Sequence, residues 1–202
     1  FKLKMQTNVL QFGSEAKYIT KGSIFISFSA PISNISDFKI KHDKLKNKYK
    51  DANHICYAYR IKIDNRLDEF SSDDGEPKGS SGKPILNTLK RERLINSAIY
   101  VIRYFGGNKL GISGLINAYG TVAKYAIENS IIEPWVLKKE ISITYQYEIQ
   151  NKVEHIFKEF GIIIINSKFG SDIKIKLEVE NSKIDMFIKK LVNISNGSIK
   201  YT

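Results

Sequence analysis

Hydrophobic and polar positions along this 202-residue chain follow two periods, and the points where one gives way to the other mark its elements. In residues 17–30, KYITKGSIFISFSA, Ile24, Ile26 and Phe28 fall on one side and Ser23, Ser27 and Ser29 on the other. That is the two-residue period of a half-buried strand, which Pro31 ends. Ile35, Phe38, His42, Leu45 and Tyr49 then recur at helical spacing, with Lys39, Lys41, Lys44, Lys46, Lys48 and Lys50 on the remaining surface, so an amphipathic helix is expected. Residues 54–63 return to alternation: Ile55, Tyr57, Tyr59, Ile61 and Ile63 against His54, Cys56, Ala58, Arg60 and Lys62. The pattern predicts one face that packs and one that carries polar chemistry.

Two glycine-rich loops interrupt the next stretch of the chain. The first, SDDGEPKGSSGKP (residues 72–84), leads into a short helix whose apolar side is Ile85, Leu86 and Leu89, and Pro84 suits an early helical position because its missing amide would be unpaired there. The second, RYFGGNKLG (residues 103–111), ends the strongly apolar strand SAIYVIRYF (97–105). From Gly111 onward Ile112, Leu115, Ile116, Tyr119, Val122, Ala123, Ala126 and Ile127 hold a helical stripe, and Glu133-Pro134-Trp135 closes the segment. The rest reads strand (138–149), helix (150–160), strand (162–168), strand (172–180), helix (182–192), strand (195–202). A βαββαβ order of this length predicts the ferredoxin-like arrangement, an antiparallel sheet with both helices on one face. The expected fold class is α+β, with an N-terminal domain over 1–135 and a C-terminal domain over 136–202.

Composition narrows the function classes. No apolar run approaches the roughly 20 residues of a membrane helix and none reads as an export leader, so the expectation is a cytoplasmic protein with no membrane partner. Cys56 is the single cysteine, which excludes an internal disulfide and a multi-cysteine metal cage. The net charge of +11 favours phosphate-rich partners, although an Ile-, Lys- and Asn-rich composition also produces such an excess. Residues 1–135 carry 21 Lys and Arg against 13 Asp and Glu, and residues 136–202 carry 11 against 8; all five arginines lie in the first part.

The loops supply the candidate chemistry. Glycines leading into a helix leave outward-pointing amides whose dipole favours anions, and Arg103 and Lys109 add positive charge. Gly106, Gly107, Gly111 and Gly114 nevertheless miss the spacing of both the dinucleotide fingerprint and the P-loop, which argues against nucleotide hydrolysis. The competing role of these glycines is a tight strand-to-helix turn. Asp73, Asp74 and Glu76 admit a hard cation or acid-base work, but Asp and Gly are also ordinary turn formers. His54 and Cys56 share a strand face, where an imidazole lowers a thiol's pKa; the alternative is a cysteine buried as a small hydrophobe. Arg60, Lys62 and Arg103 with Tyr104 and Phe105 suit an open sheet surface that stacks single-stranded RNA, against which Tyr57, Tyr59 and Phe105 read as core.

DANHICYAYRIK (51–62), SDDGEPKGSSGKPIL (72–86) and RYFGGNKLGISGLINAYG (103–120) closely resemble the IMPACT/YigZ family, in the same order and at compatible spacing, as in its bacterial two-domain members. The resemblance implies an N-terminal domain similar to the second domain of a small-subunit ribosomal protein and a C-terminal domain similar to the last domain of elongation factor G. Eukaryotic relatives are thought to restrain the amino-acid-starvation kinase by binding its ribosome-associated activator, through a further domain absent from this sequence. The chain departs from the family pattern at Ile55, where a second histidine is usual; at Asn117, where an arginine is usual; and at Lys78, where a small residue is usual. The expectation is a non-enzymatic protein without cofactor or metal that binds RNA or a ribosomal component and modulates translation. Its anion-facing residues are Arg60, Lys78, Lys83, Arg103, Gly106, Gly107, Lys109 and Gly111, beside a motif loop of Asp73, Asp74, Gly75, Glu76, Pro77, Gly79, Gly82 and Pro84. Two alternatives are a module docking a protein regulator of translation or stress, and a metal-dependent hydrolase using Asp73, Asp74 and Glu76.

Overall fold

The structure, a computed structural model, describes residues 6–63 and 66–202 and divides into two units, Phe1–Trp135 and Val136–Thr202. The first contains β1 (Asn8–Phe12), β2 (Glu15–Thr20), β3 (Ser23–Pro31), α1 (Ile35–Lys48), β4 (His54–Ile63), β5 (Arg66–Ser72), α2 (Gly82–Arg91), β6 (Ser97–Tyr104), α3 (Gly111–Glu128) and β7 (Ile131–Pro134). Strands β2-β3-β6-β4-β5 form one antiparallel sheet in that order, while β1 pairs with β7. The expected strand over 17–30 is a hairpin. Lys21 and Gly22 turn with φ of 45° and 82°, the left-handed pair that matches the twist of the flanking strands.

Helix α1 covers one face of this sheet, with Phe38 packed among Tyr57, Tyr59, Ile61 and Tyr100. Asn34 caps it by accepting the Asp37 amide at 2.9 Å, and the Asp37 carboxylate accepts the Ser33 amide at 3.1 Å. Helices α2 and α3 cover the other face over Phe25, Cys56, Ala58, Ile99 and Val101. Central strand β6 is therefore buried on both sides, which is why its sequence is continuously apolar instead of alternating.

Double coverage corrects two expectations. The serine side of β3 is the deeper one: Ser23, Phe25 and Ser27 are fully buried, whereas Ile24, Ile26 and Phe28 are half-buried. Ser27 donates to the Val122 carbonyl at 2.8 Å, and Ser29 shares a 2.7 Å bond with Ser130. Short hydroxyl side chains let α3 approach closely while satisfying its carbonyls. On β4, the side expected to carry polar chemistry lies under α2 and α3, with Cys56 and Ala58 fully buried.

The second unit runs β8 (Lys138–Tyr145), α4 (Gln150–Phe160), β9 (Ile163–Phe169), β10 (Ile173–Glu180), α5 (Ile184–Ile194) and β11 (Lys200–Tyr201). Its sheet order β11-β8-β10-β9 is antiparallel throughout, the ferredoxin-like arrangement. Ile143, Ile173 and Leu177 meet Val153, Phe157, Phe187 and Leu191 in its core. The strand expected over 138–149 ends at Tyr145, and a 3-10 turn, Tyr147–Ile149, leads into α4. No helix among the described residues is long and apolar enough to cross a membrane.

Candidate functional site

The first glycine-rich loop is organised by its own carboxylates. Asp73 accepts four bonds: the Gly79 amide at 2.8 Å on Oδ2, and the Ser81 amide at 3.1 Å, the Ser81 hydroxyl at 2.8 Å and the Gly82 amide at 2.8 Å on Oδ1. Two of those amides open α2, so Asp73 acts as a cap set nine residues ahead of the helix it stabilises. Burial raises its pKa, but the Gly79, Gly82 and Ser81 donors outweigh that effect and hold it below the ordinary carboxylate value. Asp74, with φ of 43°, turns the chain so that its Oδ2 accepts the Ile55 amide at 2.6 Å, while its carbonyl lies 2.7 Å from His54 Nδ1.

Glu76 points the other way, into the unit. Its Oε1 accepts Arg103 Nη1 at 2.5 Å and the Tyr119 hydroxyl at 2.8 Å. The pair is almost wholly enclosed, with side chains 6% and 3% exposed. Cys56 continues the network, its thiol lying 3.3 Å from the Tyr119 oxygen and 3.1 Å from the Asp73 carbonyl. Arg103 Nη2 reaches Ser23 Oγ at 3.4 Å, and the guanidinium carbon sits 5.4 Å from the Phe25 ring centre and 5.6 Å from that of Phe105. Among the described residues, Arg103 Nε is the buried side-chain polar atom without a hydrogen bond.

The second loop joins this frame at the backbone. Gly106 donates to Ser23 Oγ at 3.2 Å, and a Cβ on Gly106 would stand 1.9 Å from the Gly22 carbonyl carbon. Glycine is required there because the loop backbone lies directly on the β2–β3 turn. Phe105 donates its amide to Asn53 Oδ1 at 2.7 Å, and Asn108 Nδ2 lies 3.4 Å from the Lys21 carbonyl. Gly107 and Gly111 have φ of 84° and 72°, so they serve the turn into α3, which starts without a side-chain cap.

These contacts bring loops 72–84 and 103–111 together through Glu76 and Arg103, but they redistribute the expected roles. Arg103 is a buried structural cation, not a solvent-facing one. Arg60 is no part of an open sheet: it donates to Glu69 Oε1 at 2.9 Å and the Leu94 carbonyl at 2.8 Å beneath α2. Lys78, Lys83 and Lys109 are exposed, and among the described residues none pairs with a carboxylate within 4.0 Å. Gly79 is a left-handed turn residue, and Gly82 packs where a Cβ would lie 2.8 Å from the Ser72 backbone. Gly75 faces the His54 ring, Pro84 is buried at the third residue of α2, and Pro77 is exposed.

Burial pushes the Cys56 thiol up to about 12, so it is no nucleophile beside His54. Asp73 spends both oxygens on protein donors, Asp74 accepts through Oδ2 and Glu76 through Oε1, and no group of three metal-ligating side chains occurs among the described residues. Phe105, expected in the core, is 46% exposed. Sequence reasoning missed Tyr119 and Ser23 as network members because one sat in an apolar stripe and the other on a polar strand face. A tyrosine placed where a helix is otherwise wholly buried is the available signal, since its hydroxyl needs a partner.

A family profile described as the Impact N-terminal domain matches residues 21–127, which include β3 to α3 and both loops. The chain belongs to the IMPACT family. A second profile, a domain of unknown function (DUF1949), matches residues 143–198. IMPACT family member YvyE of Bacillus subtilis is 28% identical over 183 residues, 91% of this chain and 84% of that protein. IMPACT family member YigZ of Escherichia coli is 28% identical over 181 residues, 89% of each. A crystal structure of a hypothetical protein superposes with a TM-score of 0.69 at 26% identity, covering 98% of this chain and 97% of that one. Asn117 lines a groove of ≈ 420 Å³ between α2 and α3, in which Arg91 and Lys124 supply cations.

Proposed function

We propose that this IMPACT protein is a non-enzymatic modulator of translation that binds RNA or a ribosomal component through the surface of its two glycine-rich loops. One observation carries the reading: the enclosed Glu76–Arg103 pair holds the two loops against each other while Lys78, Lys83 and Lys109 remain exposed and unpaired by carboxylates among the described residues. Asp73 and Glu76 directed onto protein donors, with three ammonium groups turned outward, suit a polyanion. The family's implied likeness to a ribosomal-protein domain and to the last domain of elongation factor G, and the cytoplasm as its place of action, belong to the same proposal.

The test is co-sedimentation of the full chain with ribosomes and anisotropy of a fluorescein-labelled U16 RNA across 50–200 mM KCl. Each single-strand phosphate contact contributes ~0.7 to the log–log salt slope, so K78A/K83A/K109A is expected to reduce the slope by about 2. Binding to neither RNA nor ribosomes at 50 mM salt overturns the reading. A second reading, docking of a protein regulator, is favoured by Phe105, Ile112 and Ile116, which are 46%, 61% and 43% exposed beside the same loop. Nuclease-resistant capture of one partner, abolished by I112S/I116S, distinguishes it.

A further inference from the structure

The sheet of the second unit leaves one face without a covering layer. α4 and α5 pack over Ile143, Ile173, Ile175 and Leu177, so the residues that alternate with these face outward. Strand register then brings lysines into one row: Lys200 of β11 opposes Thr144 of β8, Thr144 opposes Lys174 of β10, and Lys174 opposes Lys168 of β9. Directly paired residues share a face, so three ammonium groups span four neighbouring strands, a width of about 14 Å at ~4.8 Å per strand.

The row is poorly explained by stability. Lys168 and Lys174 are directly opposite like charges, a pairing that opposes sheet formation. At the next rung Lys176 pairs with Glu140 at 2.5 Å, but none of Lys168, Lys174 and Lys200 has a carboxylate within 4.0 Å among the described residues. A shallow groove of ≈ 280 Å³ runs over this face, lined by Lys168, Lys174 and Lys176 with Ser142, Thr144 and Asn166 as hydrogen-bonding groups. None of these is aromatic, so the face offers charge and hydroxyl contacts without a base-stacking platform.

We infer that the open face of the C-terminal sheet binds the phosphodiester backbone of RNA, with Lys168, Lys174 and Lys200 as its phosphate contacts and with little dependence on base sequence. The ligand cancels the repulsion that the bare row carries. Only the class of ligand rests on the function proposed above; the surface, the residues and the unit differ.

The experiment uses the full chain with fluorescein-labelled U16 and A16 RNA over 50–200 mM KCl. K168A/K174A/K200A is compared with the loop variant K78A/K83A/K109A and with K39A/K44A/K46A, which removes equal charge from α1. Three contacts at ~0.7 each predict a slope shallower by about 2 and affinity about a hundredfold weaker at 0.1 M salt for the sheet variant, equally for both RNAs. Circular dichroism and thermal melting check that the fold is kept, which is expected because all three positions are exposed.

A sheet variant that binds within twofold of the parent overturns the inference, and leaves the proposed function standing if the loop variant is the weaker. Loss confined to the sheet variant supports the inference while overturning the loop surface. Equal loss in the α1 variant overturns it in favour of net charge alone. Loss of binding to phosphatidylserine vesicles without loss of RNA assigns the face to lipid headgroups and overturns it. A parent that binds neither RNA at 50 mM salt overturns both readings.

Discussion

Removing the charge of Glu76 tests whether the two loops are held from within. Glu76→Gln keeps the shape of the side chain and an oxygen for the Tyr119 hydroxyl, but leaves the Arg103 guanidinium, 6% exposed, without a counter-charge. Breaking one side of a buried ion pair costs roughly 3–5 kcal/mol, and the retained amide oxygen puts Gln near 3, with Ala near 5. A domain of this size carries about 5–15 kcal/mol in total, so either change removes a large share. Arg103 Nε already lacks a hydrogen bond, so the guanidinium has little compensation left to draw on. The assay is urea unfolding at pH 7 followed by Trp135, the single tryptophan, which lies in the first unit and whose amide bonds to the Thr7 carbonyl at 2.8 Å. Melting points should fall by about 6–12 °C for Gln, at about 2–4 °C per kcal/mol. The double variant Glu76→Leu with Arg103→Met should recover much of the loss, because an apolar replacement leaves no orphaned charge; the Tyr119 hydroxyl, losing its acceptor, retains a deficit of about 1–3 kcal/mol. A cost below about 1 kcal/mol for Glu76→Gln, or single-variant costs that simply add in the double, would refute the argument.

Gly106→Ala forces a Cβ to within 1.9 Å of the Gly22 backbone, and since no flexible side chain can yield there, a loss of several kcal/mol in the same urea assay is expected. Asp73→Ala unpins Gly79, Ser81 and Gly82 and should cost more than a single cap, about 2–3 kcal/mol. Because the folded Asp73 carboxyl is held below its unfolded value of about 3.9, its contribution is complete above that pH and is lost as the pH falls through the folded value; the variant should flatten the acid limb of the stability profile. His42, stacked on Phe38 at 5.9 Å, has its pKa lowered first by burial and then by Lys46. The unfolded chain therefore binds the proton more tightly, stability declines as pH drops below about 6.5, and His42→Phe should abolish that decline in melts between pH 7.5 and 5. The Cys56 thiol should resist a disulfide reagent at pH 8 in the folded protein and react at once in 6 M guanidinium; fast reaction in the native state would contradict its burial.

The strands and helices of the second unit were legible because each half buries one face only, so period two and period 3.6 appear undisturbed: Ile173, Ile175, Leu177 and Val179 alternate with polar residues on β10. In the first unit the sheet is covered on both sides, and alternation misleads. Ser23 and Ser27 look solvent-facing by composition yet are fully buried, since a hydroxyl with a partner costs little to bury: Ser27 bonds the Val122 carbonyl of α3, and Ser23 accepts the Gly106 amide. β5, with Arg66, Asp68 and Glu69 on an edge strand, carries no apolar period to detect, and neither does the four-residue β7. The loops could be found by their glycines, but their partners could not. Arg103 meets Glu76 across 27 positions and Tyr119 meets it across 43, and nothing local in the chain encodes such pairings.

That pairing changes how the charge of the loops should be counted. Loops 72–84 and 103–111 contain four cations, Lys78, Lys83, Arg103 and Lys109, and three acids, Asp73, Asp74 and Glu76, so their sum is nearly neutral. Direction matters more than the sum. Asp73 is turned onto the amides that open α2, Asp74 onto the Ile55 amide and Glu76 onto Arg103, whereas the three lysines face solvent. Asp73 and Glu76 lose most of their outward field to their own donors, so the three lysines outweigh the exposed Asp74 in setting the potential at the surface. On the C-terminal sheet the same result is reached without compensation, by placing Lys168, Lys174 and Lys200 in one register row where no acid alternates with them. Two surfaces of similar sign thus arise by opposite routes, and their salt dependences should be alike in slope while their costs to folding differ: the loops are stabilised by their acids, and the sheet is strained by their absence.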